Sequence, residues 1–498
     1  MNLAFLPHQI ARCEPDRIAV VEAQGRQLSY GQFEAMSGAL AHRLAGVGLG
    51  RGEVCALTIR DDALHMAAIF AVWRLGAILL PLDWRMTPAE LAAITGRFRP
   101  RLLISAGTPH RARGKVEAFN LDERDFTSGP RGPVVPVDEE PALYGLSSGS
   151  TGEPKAAVIT HRQHVARVMS YAFSYPLLRD DRYLSTMPVA YNWGRNMAVS
   201  HLCLGATLIL APALASPTEL VDFASRLKAT TMAAVPSVAH GLLALPFDGA
   251  PLLAGLRHYV SSGAPLHSEA RKAFRERVCA NLAEAYGSTE TGGISVLAPA
   301  DQQHAPGSVG RPAVGVDLQV VDGAGNELPP GQIGRIRCRG PGVIERYLGD
   351  DRHNAERLAG GWYYTGDDGY FDDTGFLYLD GRDASVIKRG GYTINAAEIE
   401  RVLVAHPSVA DAAVAGFAAG AIGEDIVAFV VPKGRIQPHD LAIHCRIALS
   451  AMKQPQAVRF VDAIPRNRAG KVDIAALRSL LAKPNEDERR SARSDRTG

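Results

Sequence analysis

Two hydrophobic periods alternate along the N-terminal part of the chain. The stretch from Ser29 to Gly48 has a helical period behind a Ser29–Gln32 capping box. Its apolar face carries Phe33, Met36, Leu40, Leu44 and Val47. An apolar run from Val54 to Ile59 predicts a strand, and Ala63 to Leu82 predicts a buried helix followed by a strand. Strands that alternate with helices in this way predict a doubly wound, largely parallel α/β sheet.

The alternation continues, and then the pattern changes twice. Thr87-Pro88-Ala89-Glu90 has the cap, first-turn proline and capping glutamate that begin a helix. Further strand and helix patterns lie at 101–105, 207–210, 218–228 and 232–235. Short strands divided by Gly, Pro and Asp turns at 306–380 predict a β-rich subdomain. After Gly381, helices at 396–404 and 440–449 and strands at 409–415, 426–431 and 457–461 predict a compact α+β domain.

Composition and charge exclude several classes of protein. The formal net charge of +2 gives no electrostatic footprint for nucleic acid or an acidic membrane. We expect no signal peptide and no membrane span, because His65, Arg74, Gly76 and Pro81 interrupt the most apolar run. The six cysteines are scattered without a C-x-x-C pair, which argues against a disulfide framework or zinc site and favours the reducing cytoplasm.

One short stretch combines features that bind phosphate. Residues 146–155 read Leu-Ser-Ser-Gly-Ser-Thr-Gly-Glu-Pro-Lys. The glycines let backbone N–H groups turn toward one point, and the hydroxyls and Lys155 add donors and a positive charge. The lysine follows Pro154 and no hydroxyl residue follows it, so this is not the P-loop of common ATPases. On these residues alone, a phosphate loop and a mobile surface linker both stay open.

Five more polar segments follow in order along the chain. They are Ser261–Leu266, Tyr286–Glu290, Tyr364–Asp367, Gly381-Arg382 and Pro465–Lys471. Each alone favours an ordinary turn or a solvated charge. Together they resemble the adenylate-forming superfamily of acyl-CoA synthetases, firefly luciferases and nonribosomal-peptide adenylation domains. The resemblance extends roughly from Pro15 to Leu481 and is closest in kind to a bacterial acid–CoA ligase.

The resemblance implies a two-step reaction on two domains. A carboxylic acid attacks the α-phosphorus of Mg·ATP and releases pyrophosphate, and the thiol of coenzyme A then displaces AMP. The implied division is an N-terminal adenylation domain at 1–381, a hinge at 382–388, a mobile C-terminal cap at 389–484 and a disordered tail at 485–498. The cap closes to deliver Lys471 for the first step and then rotates for the second.

The resemblance also implies roles for single residues. Lys471 would bridge the carboxylate and α-phosphate, Thr289 would touch the α-phosphate and Glu290 would coordinate Mg²⁺. Asp367, aided by Arg382, would bind the ribose hydroxyls. The phosphate loop would consist of Ser147, Ser148, Gly149, Ser150, Thr151, Gly152 and Lys155. The remaining nucleotide contacts would come from Gly263 and Ala264 beside the adenine and from Pro265, Tyr286, Gly287 and Ser288.

Two further sets of residues concern the acid and the thiol. The implied acyl pocket contains Tyr191, Trp193, Asn196, Val235, Ser262, Gly287 and Gly292. The implied CoA tunnel contains Lys388, Arg389, Gly390 and Gly391. Acetate-specific relatives carry tryptophan at the Gly287 position, and amino-acid-activating relatives carry an aspartate that is missing between Thr186 and His201. We therefore expect a medium-sized acyl or aromatic carboxylate, while core packing stays an alternative role for Trp193.

Three residues depart from the family pattern, and three other functions stay open. Ala156 replaces a glycine, Ala384 replaces the usual Asp or Lys of the hinge, and Tyr191 replaces a histidine. The alternatives are an adenylation enzyme that loads an acyl carrier protein, a non-catalytic nucleotide-binding relative, and a luciferase-like oxygenase. No fused carrier domain is recognisable, which favours CoA. We expect a monomer or a homodimer.

Overall fold

The computed structural model describes most of the chain. The described residues are 1–60, 62–106, 116–121, 130–148, 154–212, 215–263, 266, 268–382, 386–419, 423–465 and 472–481. Two compact units divide them. The first is made of Met1–Ser147 and Pro154–Arg382, and the second contains Ser148 and the described residues from Val386 to Leu481. Within this described part, every helix is too short or too polar to cross a membrane.

A nine-stranded sheet forms the larger layer of the first unit. Its strands are β1 (Ile18–Glu22), β2 (Gln27–Ser29), β9 (Arg182–Ser185), β10 (Thr207–Leu210), β11 (Thr231–Ala234), β12 (His258–Ser262), β13 (Leu282–Ser288), β14 (Gly292–Leu297) and β15 (Arg311–Pro312). They lie in the order β15-β14-β13-β12-β11-β9-β10-β1-β2. The pairs from β1 through β13 are parallel, and the pairs at the two edges are antiparallel.

A six-stranded sheet forms a second layer. Its order is β6-β5-β3-β4-β7-β8, with β3 (Val54–Thr58), β4 (Ile78–Pro81), β5 (Leu102–Ala106), β6 (Glu117–Leu121), β7 (Pro141–Ser148) and β8 (Pro154–Thr160). The helices of the first unit are α1 (Phe5–Cys13), α2 (Tyr30–Gly46), α3 (Ala63–Arg74), α4 (Pro88–Phe98), α5 (His161–Ser174), α6 (Asn192–Leu204), α7 (Pro217–Arg226), α8 (Pro236–Leu243), α9 (Ser268–Arg277) and α10 (Asp351–Arg357). The predicted α/β class is confirmed.

Local sequence signals explain where these helices begin. Both predicted capping boxes are confirmed, because Ser29 and Gln32 exchange hydrogen bonds at the start of α2 and Thr87 and Glu90 do so at the start of α4. Helix α3 is buried along its whole length, as its apolar composition predicts. Several predicted boundaries were wrong by one to three residues. The strand predicted to reach Val235, for example, ends one residue earlier, because Val235 is the extended residue before the first-turn proline of α8.

The predicted β-rich subdomain is confirmed as a five-stranded sheet at the end of the first unit. It contains β16 (Asp317–Val321), β17 (Gly334–Arg339), β18 (Leu358–Ala359), β19 (Trp362–Phe371) and β20 (Leu377–Arg382). All of its pairs are antiparallel. Strand β19 carries Asp367 next to Arg382 of β20 in the ladder.

The second unit is the predicted small α+β fold. It contains β21 (Val386–Arg389), β22 (Tyr392–Asn395), α11 (Ala396–Val404), β23 (Val409–Ala418), β24 (Glu424–Pro432), α12 (Pro438–Ala448), a short 3₁₀ turn (Ala451–Lys453), β25 (Ala457–Phe460) and α13 (Ile474–Leu481). Strands β23 and β24 are antiparallel, and β25 joins β24 in parallel. The tail predicted at 485–498 lies outside the described residues.

Candidate active site

The candidate site lies at one edge of the nine-stranded sheet. Because β11, β12 and β13 are parallel neighbours, their carboxyl ends share that edge. Val235 follows β11, Ser262 ends β12, and Gly263 follows it with φ at +95°. The segment from Tyr286 to Glu290 ends β13 and turns toward β14. Ligands of open α/β sheets bind beside strand ends of this kind.

The backbone of the β13–β14 hairpin requires glycine at position 287, for a reason that the sequence did not reveal. The β13–β14 ladder shifts register between Tyr286 and Gly287. A Cβ atom at Gly287 would overlap the carbonyl oxygen of Gly292, and Gly292 itself has φ at +69°. The close backbone approach therefore requires glycine at position 287 whatever the size of the acyl group, because any side chain there would force the hairpin apart.

A buried arginine holds the turn that carries Glu290. Arg167 of α5 donates from Nη1 to the Thr289 carbonyl at 3.1 Å, from Nη2 to the Glu290 carbonyl at 2.8 Å and from Nε to the Gly342 carbonyl at 2.7 Å. The Ile344 amide also donates to the Glu290 carbonyl at 3.0 Å. Burial lowers the pKa of Arg167. The guanidinium fork thus fixes the backbone of the turn rather than contacting its carboxylate.

The Glu290 carboxylate is buried and bound by a phenol. The Tyr347 hydroxyl donates to Glu290 Oε1 at 3.0 Å and lies 3.2 Å from the Tyr363 hydroxyl. Burial, followed by the nearby Glu290 charge, raises the pKa of Tyr347, so the phenol stays a neutral donor. Across the described ranges no group of three or more His, Cys, Asp or Glu side chains could hold a metal by itself. A single oxygen-donating carboxylate nevertheless fits Mg²⁺, which keeps waters and takes substrate phosphates as further ligands.

Asp367 contacts the strand end from the β-rich sheet. The Tyr286 hydroxyl donates to Asp367 Oδ2 at 2.6 Å, and the Asp367 amide donates to Thr365 Oγ1 at 3.1 Å. Burial raises the pKa of Tyr286, and the Asp367 charge raises it further. Two segments that are far apart in the sequence therefore meet through a charge-assisted hydrogen bond.

Lys155 is a buried cation at the start of β8. It is only 7% exposed, and its Nζ contacts Nε2 of His353 on α10. The other ring nitrogen, Nδ1, lies 2.9 Å from Asp350 Oδ1. Burial lowers the pKa of Lys155, and the nearby Asp350 carboxylate opposes that shift.

Some of the predicted acyl-pocket residues are packed inside the first unit, whereas Tyr191 is partly exposed. Trp193 and Asn196 of α6 contact α5, where the Trp193 ring meets Tyr171 edge-on at 5.9 Å and Asn196 Nδ2 donates to the Tyr171 hydroxyl at 3.3 Å. The Gly293 amide of β14 donates to the same hydroxyl at 3.1 Å. Trp193 also packs against the main hydrophobic core, as its alternative role requires. Ser262 donates its hydroxyl hydrogen to the Ala285 carbonyl at 2.8 Å.

Tyr191 differs from these residues because it is partly exposed. It is 37% exposed, and its hydroxyl donates to Asp83 Oδ2 at 2.8 Å. Arg85 donates to both oxygens of the same carboxylate, at 2.9 and 2.6 Å. Tyr191 is therefore bound to the segment after β4.

The implied thiol residues form a tight hairpin in the second unit. Lys388 and Arg389 end β21, and Gly390 and Gly391 connect it to β22 with φ at +55° and +82°. A two-residue loop with both φ angles positive favours glycine at each position. The Lys388 amide donates to Glu424 Oε2 at 2.6 Å.

Several predicted residues cannot be placed. Lys471, Ala264, Pro265 and Ala384 lie outside the described residues, as do Gly149, Ser150, Thr151 and Gly152. For Ser147, Ser148 and Arg382 only the backbone is described, at the ends of β7 and β20. Ser288 is described, and its amide donates to Thr291 Oγ1 at 3.0 Å.

Sequence reasoning missed Arg167, Tyr347, His353, Asp350 and Tyr171. A signal existed for two of them, because α5 buries polar residues at helical spacing, including Arg167 and Tyr171. Buried polar residues on a helix face need partners, so that spacing could have indicated a site. Tyr347 precedes the short helix α10, and Asp350 and His353 lie at its N-cap and in its first turn, where a helix of seven residues gives too short a periodic pattern to be recognised.

Comparison with known proteins identifies the family. The AMP-binding enzyme family matches residues 7–348, and the AMP-binding enzyme C-terminal domain matches residues 398–471. A fatty acid–[acyl-carrier-protein] ligase of Streptomyces coeruleorubidus is 31% identical, covering 93% of this chain and 93% of its own. An indoleacetate–CoA ligase of Aromatoleum aromaticum is 32% identical, covering 97% and 99%. The structure of a double mutant of o-succinylbenzoate CoA synthetase from Bacillus subtilis has a TM-score of 0.88 at 25% identity, covering 94% of this chain and 97% of that one.

The chain therefore belongs to the AMP-binding enzyme family, within the adenylate-forming superfamily. It is an AMP-forming acid–thiol ligase of the acyl-CoA synthetase type. The family, fold class and enzyme class predicted from the sequence are confirmed.

Proposed function

We propose that the chain activates a medium-sized acyl or aromatic carboxylic acid as an acyl-adenylate and then transfers the acyl group to coenzyme A. The observation that carries this proposal is the hydrogen bond from Tyr286 to Asp367. It joins the strand-end segment and the β-rich sheet, the two parts that the family resemblance assigns to one nucleotide. An acceptor-only carboxylate at this position suits the two ribose hydroxyls.

The first step must bring two anions together. At a separation of 4 Å and an effective dielectric near 20, two unit charges repel by roughly 4 kcal/mol. Lys155 and the donors of the 147–155 loop would offset that repulsion at the β- and γ-phosphates, and Thr289 would bind the α-phosphate. Mg²⁺, held by Glu290 and the phosphates, would neutralise part of the charge. The Arg167 fork supports this role, because it fixes the turn that carries Thr289 and Glu290.

The remaining roles rest on the second domain. We propose that residues 382–388 act as a hinge between an adenylation domain at 1–381 and a cap at 389–484. Lys471 would bridge the acid and the α-phosphate when the cap closes. After rotation, the Lys388–Gly391 hairpin would line the path of the thiol, and its tight two-glycine loop supports a close approach by a narrow chain.

The proposals for the acid and for the acceptor rest on different observations. Trp193, Tyr171 and Tyr175 bring aromatic rings together, with Tyr175 and Trp193 6.2 Å apart, which supports an aromatic or medium-sized acyl group. Because one relative is a fatty acid–[acyl-carrier-protein] ligase, an acyl carrier protein is the alternative acceptor.

The compartment and the oligomeric state are separate proposals. All six cysteines are free thiols, which supports a reducing compartment such as the cytoplasm. We propose a monomer or homodimer.

A panel of carboxylic acids tests the function. Pyrophosphate release is measured for each acid with Mg·ATP, in the presence and absence of CoA, and thioester formation is followed separately with CoA and with carrier protein. We expect acid-dependent pyrophosphate release and a thioester with CoA. Lys471→Ala should abolish adenylate formation while ATP still binds. Thioester only on carrier protein would change the acceptor, and no acid-dependent release across the panel would favour a non-catalytic protein.

A further inference from the structure

A buried pair of side chains contains Lys155, the last residue of the 146–155 stretch. Lys155 and His353 are separated by almost two hundred residues, yet each is buried and Lys155 Nζ contacts His353 Nε2. Lys155 begins β8, and His353 lies in the first turn of α10. The pair lies wholly within the first unit of the fold.

Asp350 determines which ring nitrogen of His353 carries the proton. A single oxygen of Asp350 accepts from the His353 backbone amide at 3.1 Å, as the N-cap of α10, and from His353 Nδ1 at 2.9 Å. A carboxylate accepts only, so Nδ1 carries the hydrogen and Nε2 presents its lone pair. The imidazole therefore accepts a hydrogen bond from the Lys155 ammonium.

Among the residues with described side chains, the charged groups near the pair lie around Lys155 without forming a salt bridge to it. Glu356 Oε2 lies 4.0 Å from His353 Nε2, and the ring of Tyr347 meets the His353 ring edge-on at 6.2 Å. Asp350, Glu290 and Glu356 act on Lys155 as nearby negative charges, and Arg357 acts as a positive one. Among the residues with described side chains, no carboxylate forms a salt bridge with Lys155.

A neutral acceptor suits a lysine that must change partners. An ion pair with a buried carboxylate would hold the ammonium strongly, and breaking it on nucleotide binding would be costly. A hydrogen bond to a neutral imidazole fixes the rotamer at lower cost. A phosphate oxygen, which carries charge, is the stronger acceptor and displaces it.

We propose that His353 is a positioning residue for nucleotide binding: oriented by Asp350, it holds the Lys155 ammonium in place and releases it to the phosphates of ATP. The inference rests on the proposed role of Lys155 in phosphate binding. It adds to that role a residue outside the segments that carry the family resemblance.

Substitutions at His353 test the idea. His353→Leu removes the acceptor, and we expect the Kd and KM for Mg·ATP to rise about tenfold while the KM for the acid is unchanged. His353→Gln keeps an acceptor oxygen, and should stay within about threefold of the wild type. Arg352→Ala is the matched control, because Arg352 lies on the exposed side of the same helix and pairs only with Glu356 in its described contacts. Calorimetric titration with Mg·ATP and steady-state pyrophosphate release give the two constants.

A double-mutant cycle with Lys155→Met separates positioning from a structural effect. If His353 acts through Lys155, His353→Leu should cause little further loss of ATP affinity in the Lys155→Met background. Equal effects of His353→Leu and Arg352→Ala, or an undiminished effect of His353→Leu without Lys155, would overturn the inference. If His353→Leu does not fold, His353→Ala is evaluated by the same criteria. The calorimetric readout needs no turnover, so a wild type that binds ATP without releasing pyrophosphate would refute the proposed function and still test His353.

Discussion

The Tyr286 hydroxyl donates a hydrogen bond to Asp367 Oδ2 at 2.6 Å, and both side chains are largely buried. Tyr286 ends a strand of the nine-stranded sheet, whereas Asp367 belongs to the β-rich sheet. The bond fixes the orientation of a carboxylate that cannot rely on solvent. Any ligand that uses Asp367 thus depends on Tyr286 as well.

Removing either partner should weaken nucleotide binding. Hydrogen bonds to a charged group contribute about 1.5–3 kcal/mol, so we expect Asp367→Ala to raise the Kd for ATP by about tenfold or more. Tyr286→Phe should have a smaller effect, because the carboxylate remains. Calorimetric titration with ATP and with AMP measures both. Tyr370→Phe is the control, since Tyr370 stacks on Tyr378 of the same sheet at 5.1 Å and should bind normally; equal losses in all three variants would contradict the assignment.

Glu290→Gln should impair chemistry more than folding. The Tyr347 hydroxyl can still donate to the amide oxygen, but the charge that would hold Mg²⁺ is gone. We expect kcat for pyrophosphate release to fall by about a hundredfold, with half-saturation shifted to higher Mg²⁺. Glu284→Gln, in the buried pair with Arg271, provides the contrast, because it should lower stability and leave the Mg²⁺ dependence unchanged. A Glu290→Gln enzyme with wild-type Mg²⁺ dependence would exclude the metal role.

Arg167→Met should destabilise the first unit. The substitution leaves the carbonyls of Thr289 and Gly342 without their buried donor, whereas the Glu290 carbonyl still accepts from the Ile344 amide. Unsatisfied buried acceptors cost about 1–3 kcal/mol each, so we expect a loss of roughly 2–6 kcal/mol in the free energy of unfolding. Arg167→Lys, which keeps the charge and loses the fork, should recover only part of it. Urea denaturation measures the difference, and an unchanged midpoint for Arg167→Met would contradict it.

Acid should destabilise the fold through buried histidines. Burial lowers the pKa of His201 to about 4 and that of His161 to about 3, from a usual value of 6.5. Between the lowered pKa of each folded-state histidine and the usual value of 6.5, the unfolded chain binds a proton that the folded chain does not. The contribution of these histidines to the free energy of unfolding is therefore fully present above pH 6.5 and declines as the pH falls toward 4. The expected slope is about 1.4 kcal/mol per pH unit for each histidine. Urea denaturation at a series of pH values checks this, and His201→Phe, which keeps a ring against Tyr183, should show a shallower slope.

Gly391→Ala should affect the thiol step selectively. Its φ of +82° strains any residue with a Cβ, by about 1–2 kcal/mol. If the hairpin lines the thiol path, the rate of thioester formation from preformed acyl-adenylate should fall while acid-dependent pyrophosphate release is retained. Single-turnover assays separate the two steps. Gly434→Ala, in the same unit with open space around it, should leave both rates unchanged.

The sequence alone determined the parts of this protein that depend on neighbours along the chain. The capping boxes at Ser29 and Thr87 and the strand–helix alternation are local, because a helix start depends on residues three positions apart. Motif order was sufficient to predict the family. The tertiary structure decided which distant side chains meet: Arg167 with the Glu290 turn, Tyr191 with Asp83, and Lys155 with His353. It also showed that Gly287 is required by a backbone approach. No periodicity encodes such contacts, because they arise only when the sheets pack and bring chain segments far apart in sequence within hydrogen-bond distance.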